Sequence, residues 1–549
     1  MPLDALVTGR IATLGGESGF GWVEAVGITG GRVAFAGSAV DLETRADPFT
    51  RRYELDPDEV AIPGLTDAHL HLAEGGIARE KVDLSQVPTL ADALTAVRTG
   101  ADALPDDAAW LEGHGWDPDR FGRWPTADDL ESVVPGRRVA IWAHDHHSLW
   151  VSRAALGGAG IDRDSPDPDG GLIRHDDAGD PSGILHESAA RLVTRHIPPA
   201  DAERYERLVA DLCADLVALG VVAIHDPGAL SLQEGLGAGI GAFRALDERG
   251  KLPIRVHACI REEQIGAAAR AGLKSGDPLW PGADRARFGW LKLFADGTLA
   301  SRTAALLEPI EAEAGRPLPE GTERGVFLTP PERLAELARE AHGHRIATII
   351  HAIGDWGVRA ALDALEPTAG GSLPLMPRLE HVQLLHPDDR PRFAKSRIAA
   401  SVQPIHLRAD AAAARRLWGD RAESNGYTWR SIADTGAILA FGTDAPVEPI
   451  DPWPGLSMAV TRRDPSWGPD APAFGPNETL TLERALRSAC VAPAVTAGER
   501  DRGRLVPGQR ADLVVLPIEA LTEPVLPGGA LATARPRLVL IDGAVGYEA

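Results

Sequence analysis

Between residues 221 and 444 the chain alternates short apolar runs with alanine-rich stretches of helical period. The runs are VVAIHD (221–226), PIRVHACI (253–260), FGWLKLFAD (288–296), RIATIIHAIGD (345–355), PRLEHVQL (377–384), RIAASVQP (397–404) and AILAFGTD (437–444), and EVAIPGLTDAHLH (59–71) precedes them. Unbroken apolar runs of this length fit strands buried on both faces. Segments such as ERYERLVADLCADLVALG (203–220) and PERLAELAREAHG (331–343) carry apolar residues at helical spacing. Eight alternating units predict an α/β fold, a parallel (β/α)8 TIM-like barrel with its functional groups at the C-terminal ends of the strands. An open doubly wound sheet is the competing arrangement, but no GxGxxG follows a first strand.

The two chain ends have a different texture. ALVTGRIATL, WVEAVGITG and GRVAFAG at the start, and ADLVVLP and RLVLIDGAV at the finish, read as short strands broken by glycine. They predict one small β-sandwich built from residues 1–63 and 495–549, outside a hydrolase barrel spanning 64–494. Between the first strand and the helix at 203 lie roughly 130 residues rich in Asp, Gly, Pro and Trp, too many for a connection without structure of its own. This insertion, about 75–200, is expected to be β-rich and to lie over the strand C-termini, walling the substrate pocket.

Composition narrows the partners. The 549 residues are 44% hydrophobic and 25% charged, with 56 Lys+Arg against 79 Asp+Glu and a formal net charge of −23. Such a field repels nucleic-acid backbones and anionic membrane surfaces, so neither is an expected partner. Cys213, Cys259 and Cys490 show no CxxC spacing, which suits a reducing cytoplasm. The opening MPLDALVTGRIATLGG lacks the pattern of an export signal, and no apolar run approaches the ~20 residues of a membrane span. The expected partner is a small molecule, with a homodimer a possible assembly.

Six residues carry the chemistry. His69 and His71 lie in PGLTDAHLHL, Lys292 in WLKLFADGTLASRTAAL, His351 in IIHAIGD, His381 in LEHVQLL and Asp444 in AFGTDAPV. Alternate residues on a strand share a face, so His69 and His71 can reach one cation. Burying a lysine without a partner costs several kcal/mol, which marks Lys292 as functional. Taken alone, His381 beside Glu380 reads equally well as a core histidine or a surface pair, and the GTD at Asp444 as a turn with a helix cap. Their joint occurrence in strand order turns both toward a metal centre. His69 and His71 would hold one divalent ion with Asp444, and His351 and His381 a second, zinc being the first expectation and a single ion the alternative. Such ions polarise a carbonyl and activate water, while Asp444 passes a proton to the leaving nitrogen.

The surroundings suggest substrate contacts. Trp116, Trp150, Phe294 and Trp356 hint at an apolar or aromatic portion, and Gln403 and His406 in SVQPIH at hydrogen bonds on the rim. In the tetrad His144, Asp145, His146 and His147, neighbours on a strand would face opposite ways, leaving Asp145 and His147 to line the pocket together. His225, His257, His342, His344 and Cys259 are assigned to packing or solvent contact.

The chain resembles the amidohydrolase superfamily, specifically amidohydrolase family 3, the YtcJ-like group. PGLTDAHLHL is similar to that family's PGxxDxHxH, and KLFADGTLASRTAAL, HAIGD, LEHVQLL, SVQPIH and GTDAPV to its blocks on strands 4 to 8. GHGWD, D-x-H-x-x-W-V and G-I-L-x-E have counterparts in its insertion. The resemblance implies hydrolysis of a non-peptide C–N bond in an N-substituted formamide-like or N-acyl substrate. It also implies that Lys292 takes up CO₂ as an N6-carboxylate bridging two metals. One departure is visible: Trp150, Val151 and Ser152 stand where the family reads WVN, which bears on pocket contacts. Alternatives are a deaminase, or an ester, lactone or phosphotriester hydrolase. Deaminases of this superfamily usually carry one metal and lack the strand-4 lysine. A non-catalytic barrel would have lost ligands, and all six are present.

Overall fold

In the computed structural model, which describes residues 3–104, 109–228, 238–311, 321–371, 373–522 and 525–549, eight parallel strands form one sheet. They are β1 (Leu65–Asp67), β2 (Val221–Asp226), β3 (Arg255–Ile260), β4 (Ala286–Phe294), β5 (Thr348–Ala352), β6 (Arg378–His381), β7 (Ala399–Val402) and β8 (Leu439–Phe441), each paired with its successor. β1 and β8 are joined just beyond the β1 strand by Ala68 N–H donating to the Phe441 carbonyl at 2.9 Å, so the sheet curls back on itself as a barrel. Its strands are buried on both faces because helices cover the outside. Among these are Ala202–Ala218, Pro331–Gly343, Asp355–Leu365 and Leu407–Trp418, which follow the alanine-rich helical stretches of the sequence.

The expected first strand is in fact two. Glu59–Pro63 pairs antiparallel with Leu513–Pro517, while β1 pairs with β2. The break falls at Gly64, where a Cβ would sit 2.7 Å from both γ-methyls of Val222, so only glycine lets the chain cross from one sheet to the other. His69 and His71 therefore lie beyond the strand, with His71 capping the helix Leu72–Ala78. The strand-face argument for the pair does not apply; the turn brings the two rings to 5.5 Å instead.

Strands from both chain ends share one sheet, in which Leu513 to Pro517 run alongside Pro63 to Glu59. Its apolar side gathers Val7, Ile11, Val26, Ala61, Leu513, Val515 and Leu540. The helix Leu482–Thr496 runs past residue 495 before these C-terminal strands begin. A second sheet of six strands, Val82–Asp83 through Pro181–Glu187, occupies the insertion, with several short helices between its strands. Ser152, the departure from the WVN pattern, caps the helix Arg153–Ala159 and hydrogen-bonds the Arg137 carbonyl at 2.7 Å. It serves local structure in the insertion and not the pocket. Among the described residues no helix is long and apolar enough to cross a membrane.

Arg255, at the start of β3, ties the barrel to the terminal sheet. Its guanidinium donates to Asp512 at 2.8 Å and reaches Asp542 at 2.5 Å. Arg255 and Asp512 are both buried, so removing the arginine strands a carboxylate away from water. Arg255→Met is expected to cost about 3–5 kcal/mol, read as a lower urea midpoint. Adding Asp512→Asn should recover part of the loss, which a defect of packing alone would not permit.

Candidate metal centre

The six residues singled out in the sequence lie at the ends of β1, β4, β5, β6 and β8. His69 Nε2 is 3.2 Å and His71 Nε2 3.4 Å from the same oxygen of Asp444. The His381 ring lies 5.1 Å from His69 and 4.5 Å from His351. Metal-donor atoms of His69, His71 and Asp444 all fall within 4.8 Å of one another, as do those of His381, His406 and Asp444.

Each imidazole gives one nitrogen to a fixed acceptor. His69 Nδ1 donates to Glu380 at 2.6 Å, His71 Nδ1 to the Gly228 carbonyl at 3.1 Å, and His381 Nδ1 to Gln403 Oε1 at 2.8 Å. His351 uses Nε2, donating to the Gly297 carbonyl at 3.1 Å. Placing the proton on the bonded nitrogen leaves a lone pair on the other, the arrangement that metal-binding histidines require. Burial keeps His71 down at about 4 and holds His351 and His381 well below the ordinary imidazole range, so all three are neutral donors. For His69, burial and the Lys292 charge oppose protonation, yet Asp444 and Glu380 raise it. Burial would raise Asp444, but His69 and His71 hold it ionised, well below the usual carboxylate range.

The backbone under these ligands is strained. His381, Val382 and Asp444 have φ of 74°, 46° and 61°, a region that costs non-glycine residues about 1–3 kcal/mol each. Val382 N–H donates to the Ala352 carbonyl at 3.0 Å and Asp444 N–H to the His69 carbonyl at 2.7 Å, so neighbouring strand ends hold the unusual geometry. Asp67 is the matching pin on β1. Its carboxylate accepts from His69 N–H at 3.0 Å and from the Thr443 hydroxyl at 2.6 Å.

Lys292 is buried on β4, and burial brings its amine down to about 8 even though Glu380 favours the charged form. Phe294 faces it, with Nζ 5.0 Å from the ring centre, and lies 5.4 Å from the His351 ring. Gln403 is the partner of His381, not a rim group. His406 stacks on His381 at 5.9 Å and points Nε2 at Asp444 from 3.6 Å. Its Nδ1 faces the Gln383 amide nitrogen at 3.4 Å and accepts from it, which leaves the proton on Nε2, near Asp444 but without a hydrogen-bond partner among the described residues.

The tetrad 144–147 forms a turn between strands, not a strand. Asp145 accepts from the Thr298 and Ser301 hydroxyls, and His147 Nδ1 donates to Glu187 at 2.7 Å. Burial works against a charge on His147, but the Glu187 carboxylate lifts it to about 9; its ring is 5.0 Å from His351. Trp116 does not join the site through its side chain. Its indole lies fully buried in the core of the insertion, beside Trp150, and donates to the Ile141 carbonyl at 2.8 Å. Trp356 is 41% exposed and packs edge-on against Phe327.

In the sequence Glu380 stands out only as the neighbour of His381, and Arg378 not at all. Both are buried; Arg378 donates to Glu380 at 3.0 Å and to the Ala68 carbonyl at 3.1 Å, and contacts His225 Nδ1 at 2.8 Å. An arginine and a glutamate two apart on one short strand, RLEH, were the available signal. His225 thus serves a charged network, not packing alone.

The amidohydrolase family profile matches residues 58–547. A putative amidohydrolase, YtcJ of Bacillus subtilis (strain 168), is 31% identical over 500 residues, 90% of each chain. The N-substituted formamide deformylase of Arthrobacter pascens is 26% identical over 96% of this chain and 95% of its own. Among solved structures, an uncharacterized metal-dependent hydrolase from Pyrococcus horikoshii matches with a TM-score of 0.71 at 25% identity, over 93% of this chain and 97% of that one.

Glu380→Gln replaces the anionic acceptor of His69 with a neutral one. It should weaken metal retention by about 10–100-fold, measured by metal analysis after dialysis against graded chelator. A proton on His69 competes with a cation, and that proton is held more tightly than usual. Retention by the unaltered protein should therefore fall as pH is lowered, with proton release on metal uptake in a weakly buffered titration.

Proposed function

This chain belongs to the amidohydrolase family and is a metal-dependent hydrolase acting on carbon–nitrogen bonds, and from that premise we propose that it cleaves a non-peptide amide of the N-substituted formamide or N-acyl class. The observation that carries the reading is the pairing of four imidazoles with four fixed acceptors around one carboxylate, a donor set that suits two divalent cations such as zinc. His69, His71 and Asp444 would hold one ion, and His351 and His381 the other. The deformylase likeness supports the substrate class.

A bound cation supplies a Lewis acid for the scissile carbonyl and makes water acidic near neutral pH. The protein's part is proton traffic and orientation. Asp444 stays ionised through His69 and His71, so it can accept a proton from water and return it to the departing nitrogen. His406 faces the other oxygen of Asp444 and can fix its direction. Phe294, Asp145 and His147 stand around His351 and the strand-4 loop, on the side where the acyl or amine portion would lie.

Lys292 is read as an N6-carboxylate. Its neutral amine attacks CO₂, forming an N–C bond at the expense of one C–O π bond and releasing one proton, and the product offers two oxygens that share one negative charge. A depressed lysine in a buried site favours the amine form this needs. On the same reading, residues 1–63 and 495–549 compose a β-sandwich, 64–494 the hydrolase barrel with its insertion, and the protein works in the cytoplasm on a small molecule, as a monomer or homodimer.

Metal analysis of the purified protein should give two ions per chain, and a panel of N-formyl, N-acyl and cyclic amides assayed with Zn²⁺, Mn²⁺ and Co²⁺ should show turnover first among the formamides. Asp444→Asn should lower kcat by about 10²–10⁴-fold. Lys292→Ala should lose most activity and the more weakly held ion, with partial recovery on adding a short-chain carboxylate. Lys292→Arg keeps the charge but cannot form the carbamate and should be as defective as alanine. Near-normal activity and metal content in the arginine variant would replace the bridged pair with a single-ion site at His69, His71 and Asp444.

A further inference from the structure

Three of the four residues in the 144–147 turn are tied to their surroundings by side chain. His144 donates to Glu448 at 3.1 Å, Asp145 binds Thr298 and Ser301, and His147 binds Glu187. His146 differs from all of them. Both of its ring nitrogens are buried and lack a hydrogen-bond partner among the described residues. A buried polar group left unmatched is unfavourable, and native structures seldom keep one without a reason.

The backbone adds to the cost. His146 has φ of 56°, where glycine or asparagine would sit with less strain, and the 143–146 turn is closed by His146 N–H donating to the Ala143 carbonyl at 3.0 Å. Neighbouring tethers on both sides fix this turn. The ring lies nearly parallel to Trp142, with centroids 6.2 Å apart at 14°, and to His114, at 6.1 Å and 28°. Stacking holds the ring by its face and leaves the nitrogens at its edge.

We propose that His146 is a specificity-determining residue, whose ring edge hydrogen-bonds an uncharged amide or hydroxyl group carried by the substrate beside the scissile bond; the proposal rests on the metal-centre reading above. The turn that carries it reaches the loop after β4 through Asp145 and the loop after β8 through His144, and the ring of the next residue, His147, lies 5.0 Å from that of His351, which puts the turn over the candidate ligands. Burial, with His114 and His71 nearby, lowers the His146 ring to about 3, so it offers one donor and one acceptor and no charge. The two nitrogens point apart, so one substrate group meets one of them, and a primary amide or a hydroxyl can serve whichever it faces, as donor to the bare nitrogen or acceptor from the N–H. Among the described residues no acceptor orients the His146 ring as one orients each of His69, His71, His351 and His381, so it is not read as a ligand and its loss should spare the metals.

The test uses the metal-loaded enzyme and two hydroxamate inhibitors of equal length, one with a carbamoylmethyl arm and one with an apolar propyl arm. His146→Gly, which relieves the backbone strain, should keep full metal content and an equal or higher melting temperature. It should bind the amide-armed hydroxamate about tenfold more weakly, the worth of one hydrogen bond to a buried partner, and the propyl hydroxamate within about twofold of wild type. His146→Asn, which also tolerates this φ and both donates and accepts, should recover part of the loss. Equal weakening of both inhibitors, or of neither, overturns the proposal. So does loss of metal from His146→Gly, which would make the residue a ligand. A wild-type protein that takes up no metal fails the metal-centre reading itself, a result distinct from a loaded enzyme indifferent to the amide arm.

Discussion

Glu380 is a carboxylate sealed from water, and it is tolerable there because Arg378 and His69 face its two oxygens. Burial alone would push it toward the neutral acid; the guanidinium and the imidazole hold it at about 2. A buried ion pair brings little net stability, since desolvation offsets most of the attraction. What it provides is direction. Glu380 fixes which nitrogen of His69 carries a proton, and Arg378 extends that order to the Ala68 carbonyl and His225. Three barrel strands thus meet in one charged chain directly beneath the candidate ligands. Loss of either charge would leave the other stranded and the first imidazole free to turn.

The strained residues sit on that rigid base. A left-handed valine at 382 and a left-handed aspartate at 444 would relax in a loop with room to move. Here each is bonded through its backbone to the adjacent strand end, so the barrel absorbs the strain and the side chains stay aimed at one point. The insertion obeys the same logic from above: Asp145 reaches the loop after β4, and His144 reaches Glu448 in the loop after β8. Rigid strands place the ligands, and a tethered cover places the polar groups around them.

Much of this was legible in the sequence. Seven of the eight barrel strands fall within the apolar runs, and β4 begins just before its run, because parallel strands buried on both faces need mostly apolar residues. The six candidate ligands were visible because chemistry demands residue types that folding alone would not put on such strands. The errors have physical causes. Apolarity continues through Gly64, so only the three-dimensional contact with Val222 reveals that one run serves two sheets. The 144–147 tetrad borders strands on both sides, and nothing in its composition marks it as a turn. Trp116 suits a pocket wall as well as a core, and the difference lies in the partner of its indole N–H. Arg378 and Glu380 read as an ordinary charged pair until their burial is known.

The sheet shared by the two chain ends has a consequence for synthesis. Glu59 takes its ion-pair partner, Arg537, from 478 positions downstream, and the strand it belongs to pairs with one that emerges almost as late. At translation rates of ~5–20 residues per second, that strand waits from about 25 s to over a minute and a half for its neighbour. During that interval its edge is unpaired and apolar, the state in which strands associate with the wrong chain. The early strands of the terminal sheet can pair with one another as they emerge, but the edge at Glu59–Pro63 stays open until Leu513–Pro517 arrives. Removal of Leu513–Pro517 would therefore bare the edge of Glu59–Pro63, so damage late in the chain is felt at its early strands.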